Sequence, residues 1–129
     1  MNDRASQLVV DIAKRFIEYA LAAVGDNGWD EAFLRYEGWP QRYGVTSIYR
    51  KGEKSAFLDS ELSHETDIAL GKQFRELSQE LAKATGKEFV VALLRVDAEH
   101  DYKMFYEYQD PKKWYITKMN GQSGIPKID

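Results

Sequence analysis

Residues with versatile chemistry are scarce in this sequence. It contains no cysteine and two histidines, His64 and His100. The absence of cysteine excludes disulfides, thiolate metal sites, iron–sulfur clusters and a cysteine nucleophile. His100 stands between Glu99 and Asp101, but consecutive side chains seldom converge on one ion. A solvated loop is therefore the favoured interpretation, and no metal site is predicted.

No motif of a known catalytic site is present. The sequence has no G-x-S-x-G nucleophile elbow, no G-x-G-x-x-G fingerprint and no phosphate-binding loop. The glycines at 121–124 lie near the end of the chain and precede no predicted helix. Nothing singles out a catalytic pair among the 21 acidic residues. We predict no catalytic residue, no cofactor and no enzymatic activity, with a carboxylate- or metal-dependent hydrolase kept as an alternative.

The acidic residues are unevenly placed, although the formal net charge is only −3. Two stretches concentrate them: residues 59–67 hold four acids and no lysine or arginine, and residues 97–110 hold five against Lys103 alone. One interpretation is that loops and helix starts are commonly acidic. The other is an acidic recognition surface, which would attract a basic partner through complementary potential.

Aromatic residues make up 13% of the chain and also allow two interpretations. Tyr102, Tyr106 and Tyr108 alternate along a predicted strand, where they would pack in the core or form part of an interface. Trp39 stands beside Pro40 in a predicted turn, where a core position is harder to assign. The predicted partner-binding residues are Asp97, Glu99, Asp101, Glu107, Asp110, Tyr106, Tyr108 and Trp39.

Two segments have the hydrophobic period of a helix. The first extends from about residue 5 to residue 24, with Ile12, Phe16 and Ala20 on its apolar face. The second has Ser63 as its predicted cap, Leu70, Phe74 and Leu77 on its core face, and Gly86 as its terminating glycine.

Five segments have the composition of strands, at residues 31–37, 43–50, 55–58, 89–96 and 102–108. The first reads as half-buried and the fourth as a central strand covered on both faces. Residues 114–119 suit either a last short strand or an irregular arm. The order α-β-β-β-α-β-β predicts an α+β fold, in which an antiparallel sheet of about five strands packs with two helices. We expect one domain over residues 1–120 and a mobile tail over residues 121–129.

Composition also bears on location and on classes of partner. The longest apolar run covers residues 89–94, well short of the ~20 residues that a membrane span requires. The first residues lack the pattern of a secretory signal. We therefore expect a cytoplasmic protein with no membrane partner. The slight negative charge argues against nucleic acid as a partner.

The closing hairpin carries a resemblance to a known family. Leu93-Leu94-Arg95-Val96-Asp97 precedes the tyrosine-rich stretch from Tyr102 to Asp110, which is followed by Pro111 and Trp114. Together with the order of elements from Trp29 onward, this segment resembles the YezG-like immunity proteins. The resemblance covers residues 29–114 and implies a bacterial cytoplasmic antidote that binds and neutralises a secreted toxin. Several such toxins are nucleases, whose phosphate-binding clefts are basic.

The sequence thus predicts an immunity protein that neutralises a cognate toxin through an acidic, aromatic surface, as a monomer or weak homodimer. A small-molecule-binding domain is the alternative, with a pocket that Tyr102, Tyr106 and the second helix would line. A hydrolase would instead require carboxylates that converge in a cleft.

Overall fold

Two long helices and five strands form the fold in a computed structural model, which describes residues 2–25, 28–39, 41–58 and 64–128. In chain order the elements are α1 (Asp3–Val24), β1 (Glu31–Trp39), β2 (Arg42–Lys51), β3 (Lys54–Phe57), α2 (His64–Thr85), β4 (Val91–Asp97) and β5 (Tyr102–Glu107). The strands pair antiparallel throughout, in the order β3-β2-β1-β4-β5. The predicted α+β fold and its element order are confirmed.

Helix α1 begins two residues earlier than predicted. The side chain of Asn2 accepts a hydrogen bond of 2.7 Å from the N–H of Ala5, which satisfies one of the free donors of the first turn. Leu8, Ile12 and Phe16 are buried along the helix. This stripe holds α1 against the sheet and against α2.

Helix α2 ends as the sequence predicts. Gly86 follows the last helical residue with a φ of +78°, and its N–H donates to the carbonyl of Ala82 at 2.7 Å. Leu70, Phe74 and Leu77 are buried on its core face. The predicted cap Ser63 and the acids Asp59 and Glu61 lie outside the described residues.

Strand β1 is the middle strand of the sheet, which corrects the prediction of a half-buried strand. Every residue from Ala32 to Tyr36 is buried. Ala32, Leu34 and Tyr36 face the helices, whereas Phe33 faces the opposite side of the sheet. Strand β4, predicted to be central, lies beside β1 and is likewise buried on both faces.

The face of the sheet opposite the helices is covered by the C-terminal segment. Phe33, Ile48 and Leu93 form a second apolar cluster with Ile116, and two later isoleucines, Ile125 and Ile128, pack against it. Residues 114–118 are an irregular arm rather than a strand. The described part of the predicted tail therefore packs on the sheet, so residue 120 does not mark the end of the packed structure.

Arg35 fastens this segment to the middle of the sheet. Its buried guanidinium donates to the carbonyls of Pro111 and Lys113 at 2.7 and 2.9 Å, and to the carboxylate of Glu37 at 2.8 Å. A buried charge is tolerated when it is paired and its donors are satisfied. Arg35 thereby connects β1 to the turn that follows β5.

Among the described residues, no helix combines the length and the apolar character needed to cross a bilayer.

Candidate partner-binding surface

Strand β5 is an edge of the sheet, with an acidic turn before it and a turn of mixed charge after it, where Lys112 and Lys113 balance Glu107 and Asp110. The first turn, residues 97–101, connects β4 to β5. The second, residues 107–113, leads into the C-terminal segment. Because β5 pairs with β4 alone, its outer N–H and C=O groups have no strand partner within the described ranges.

The first turn is held by Asp97. One oxygen of its carboxylate accepts hydrogen bonds from the N–H groups of Glu99 and Asp101, at 2.9 and 3.0 Å. The backbone of Asp97 also accepts from the indole nitrogen of Trp29 at 3.0 Å. The ring of His100 stacks on that indole, with centroids 5.3 Å apart. The carboxylates of Glu99 and Asp101 are left facing solvent on a fixed backbone.

The second turn is built in the same way around Glu107. One oxygen of its carboxylate accepts from the N–H groups of Tyr108, Gln109 and Asp110, at 3.1, 2.9 and 3.2 Å. The hydrogen bonds from Gln109 and Asp110 are the main reason that the pKa of Glu107 lies below its ordinary value. Asp110 in turn accepts from the N–H of Lys112 at 2.9 Å.

The five predicted carboxylates have different roles. Three of them, Asp97, Glu107 and Asp110, organise the backbone of the turns, while Glu99 and Asp101 make no side-chain hydrogen bond within the described part of the chain. None of the five lies within 4 Å of a lysine or arginine nitrogen of the described residues. Their negative charge is therefore not neutralised by an ion pair there.

Two tyrosines are exposed at the ends of β5. Tyr102 is 41% exposed beside the first turn, and Tyr108 is 37% exposed in the second. Both present large amphipathic rings, which commonly anchor protein interfaces. Tyr102 is absent from the predicted binding set; its position directly after Asp101 is the signal that would have included it.

Tyr106 does not belong to this exposed surface. Its ring packs in the main core, with its centroid 5.1 Å from that of Phe89. Its hydroxyl is buried without a hydrogen-bond partner among the described residues. Burial raises the pKa of Tyr106 to about 12, so the side chain is neutral at physiological pH. The sequence allowed Tyr106 either a core position or a position in an interface, and the structure packs it against the main core.

Trp39 is exposed, but it lies two strands away from β5. It is the last residue of β1, is 38% exposed, and has the guanidinium of Arg42 4.9 Å from its ring centroid. Its neighbour Gly38 donates to Val90, and Val90 donates to Glu107. This row of hydrogen bonds places Trp39 at the same end of the sheet as the turn that follows β5.

The predicted residues therefore fall into three groups. Asp97, Glu99 and Asp101 share one end of the sheet, because Asp97 pairs with Glu31 at the start of β1. Glu107, Tyr108, Asp110 and Trp39 share the other end. Tyr106 lies beneath the helices. The six-residue strand β5 separates the two turns by roughly 20 Å, so the two turns together span the length of the β5 edge.

The described residues show little that would hold a metal. No three side chains of the histidine, aspartate or glutamate type come together there in a metal-binding arrangement. His100 stacks on Trp29 instead of joining Glu99 and Asp101 at one point. In the small-molecule alternative, Tyr106 would line a pocket with Tyr102 and the second helix; the ring of Tyr106 packs against that of Phe89.

A cluster of charges on the second face was missed by the sequence reasoning. Glu31 pairs with both Arg50 and Arg95. Burial alone would raise the pKa of Glu31, but the hydrogen bonds and charges of the two arginines outweigh burial and lower it. The sequence shows Glu31 only as an acid at the start of a predicted strand. Its arginine partners become visible once the pairing of β1 with β2 and β4 is known.

Comparison with known proteins finds no family model that matches the chain and no curated protein that matches it.

Proposed function

We propose that this protein is an immunity-type inhibitor that binds a basic partner protein along the edge of strand β5. The observation that carries the proposal is an open edge strand that begins at an acidic turn, residues 97–101, with an exposed tyrosine at each end of the strand. The contact surface is defined by Glu99, Asp101, Tyr102, Tyr108 and Asp110. The partner is a toxin with a basic active cleft, such as a nuclease, met in the cytoplasm.

The electrostatic part of the argument rests on the carboxylates of the turns. A nuclease cleft is basic because it must bind phosphate groups. Glu99 and Asp101 are exposed on a turn that Asp97 holds, so they present negative charge to such a cleft with little reorganisation. In the turn after β5, Lys112 and Lys113 offset the charge of Glu107 and Asp110. Complementary potential speeds association and selects the partner.

The edge strand supplies a second means of recognition. Its outer backbone groups have the geometry to pair with an extended segment of a partner, which is the mode called β-augmentation. The exposed rings of Tyr102 and Tyr108 would then pack against the flanking residues of that segment. Inhibition of this kind requires no catalytic group.

The test begins with the product of the adjacent open reading frame. We expect it to co-purify with this protein, to inhibit growth when expressed alone, and to be neutralised on co-expression. The complex should weaken as salt is raised, because exposed charges are screened. A neighbour that neither binds nor harms the cell would overturn the proposed function.

A charge-reversal variant tests the surface itself. The double variant Glu99→Lys, Asp101→Lys should weaken the complex at least about tenfold at ~0.15 M salt. These side chains hold no turn, so folding is expected to persist. The matched control is Glu18→Lys, Glu53→Lys, which makes the same charge change at exposed positions away from β5 and should change affinity less than about twofold. Equal affinities of the two double variants would exclude the β5 edge as the binding surface.

A further inference from the structure

A cavity of about 440 Å³ opens between the second face of the sheet and the C-terminal segment. Phe33 and Phe105 line it from the sheet, and Ile125 and Ile128 line it from the C-terminal segment. Pockets of this size commonly hold small ligands when apolar walls are combined with a few polar groups. The lining is mixed: apolar side chains on both walls give the apolar part of a ligand a surface to pack on, and charged side chains form the rest.

The polar groups at this cavity carry an excess of positive charge. Arg95 and Lys103 line it together with one acid, Glu31. Glu31 is already shared between Arg95 and Arg50. The guanidinium groups of Arg50 and Arg95 therefore share the carboxylate of Glu31. Arg50 has a second acidic partner, because its Nη1 lies 3.4 Å from Oδ2 of Asp30.

Lys103 is the group at this cavity that is free to receive a ligand. Within the described residues its ammonium makes no ion pair and no hydrogen bond; its nearest aromatic ring is that of Phe105, 5.2 Å from the nitrogen to the centroid. A lysine of this kind beside an apolar wall can bind an anion whose remaining part is apolar.

We infer that this cavity binds a small amphipathic carboxylate, with its apolar group between Phe105 and Ile125 and its carboxylate on Lys103. The ligand class follows from the combination of apolar side chains in the lining with Lys103, whose ammonium makes no ion pair within the described part of the chain. The positive charge of Arg95 also attracts the carboxylate of the ligand. The ion pair between Arg95 and Glu31 fixes the position of the Arg95 guanidinium. This inference concerns the second face of the sheet and does not depend on a partner at β5.

Octanoate is a suitable probe, with octylamine and 1-octanol as matched molecules of opposite and zero charge. Titration followed by amide and methyl NMR should show saturable octanoate binding, with the largest shifts at Phe33, Phe105, Ile125 and Ile128. Octylamine and 1-octanol should bind at least about tenfold more weakly, because neither can accept a charge-assisted hydrogen bond from Lys103 as a carboxylate does.

The variant Lys103→Met tests the assigned cation. It should reduce octanoate affinity about tenfold or more and leave 1-octanol affinity unchanged. The control Lys112→Met removes an exposed lysine that does not line this cavity and should retain wild-type affinity for octanoate. Octanoate that does not saturate below ~10 mM, a range that covers weak ligands, would overturn the inference. Equal binding of the three probes, or shifts confined to other surfaces, would overturn it as well.

Discussion

At the scale of single residues, the main finding is that similar side chains have different roles on one strand and its flanks. Tyr102 and Tyr108 are exposed, whereas Tyr106 is packed against Phe89. The alternation of the strand places all three on one side, but only Tyr106 lies beneath the helices. Neighbouring elements decide the exposure of a tyrosine, and a single sequence does not reveal them.

The buried hydroxyl of Tyr106 gives a prediction at this scale. A buried polar group without a partner costs free energy, so Tyr106→Phe should leave the free energy of unfolding unchanged or raise it by up to about 1 kcal/mol. Chemical denaturation measures this change. Tyr108→Phe, at an exposed ring, is the control and should change stability by less than about 0.5 kcal/mol. A clear loss of stability in Tyr106→Phe would mean that its hydroxyl is hydrogen-bonded in solution.

At the scale of elements, the two turns that flank β5 are held by their own carboxylates. Asp97 and Glu107 each gather backbone N–H groups from the residues that follow. The sequence concentrates acids here partly for this structural reason, which was the first interpretation of the acidic stretch. The second interpretation, an acidic recognition surface, rests on Glu99 and Asp101, whose carboxylates make no hydrogen bond within the described turn.

The lowered pKa of Glu107 predicts a pH dependence. A carboxyl whose pKa is lower in the folded state stabilises the protein above its unfolded pKa, and this contribution is lost as pH falls through the folded value. Glu107→Gln should therefore lower the free energy of unfolding at neutral pH, by less than about 1 kcal/mol because the carboxylate is largely open to solvent. The difference from the wild type should vanish in strong acid.

Denaturant titrations across the acid range measure this effect. Glu53→Gln is the control, because it makes the same change in another exposed turn, where the carboxylate accepts no hydrogen bond from the described residues. A constant difference between Glu107→Gln and the wild type at every pH would show that charge is not the cause.

At the scale of the whole molecule, one sheet is covered by two unlike layers. The helices cover one face, and an irregular segment held by Arg35 covers the other. The periodic parts of the fold were predictable because α1 and α2 have regular apolar spacing. The second layer was not, because Ile116, Ile125 and Ile128 follow no period and stand among polar residues.

The candidate site was predictable to a similar extent. The acids of residues 97–110 were identified from charge alone, because charge density is visible in a sequence. Their division between two ends of the sheet depends on the register of β4 and β5, and the charge cluster around Glu31 depends on pairing across three strands. Such pairings arise from tertiary packing and leave no local pattern.

Gly124 provides a prediction about the second layer. Its φ is +87°, and a Cβ placed there would lie 2.5 Å from the Cδ1 of Ile48. Gly124→Ala should therefore destabilise the protein by about 1–3 kcal/mol and increase amide hydrogen exchange in residues 114–128. A tail that is mobile in solution, as the sequence predicts, would tolerate the change.

Gly44→Ala is the matched control for this substitution. Gly44 lies in β2 without a positive φ, and an added Cβ there would meet no atom within 4 Å. Its replacement should change stability by less than about 0.5 kcal/mol. Equal effects of the two substitutions would show that the second layer does not depend on the close approach of Gly124 to Ile48.

The position of the covering segment in the chain has a consequence for biosynthesis. The ribosome makes Phe33 long before it makes Ile125 and Ile128, which cover it. Until residues 114–128 have been made, the second face of the nascent sheet presents apolar side chains, and exposed apolar surface promotes aggregation during folding. A chain that stops before residue 114 would therefore be prone to aggregate, even though it contains both helices and all five of the described strands.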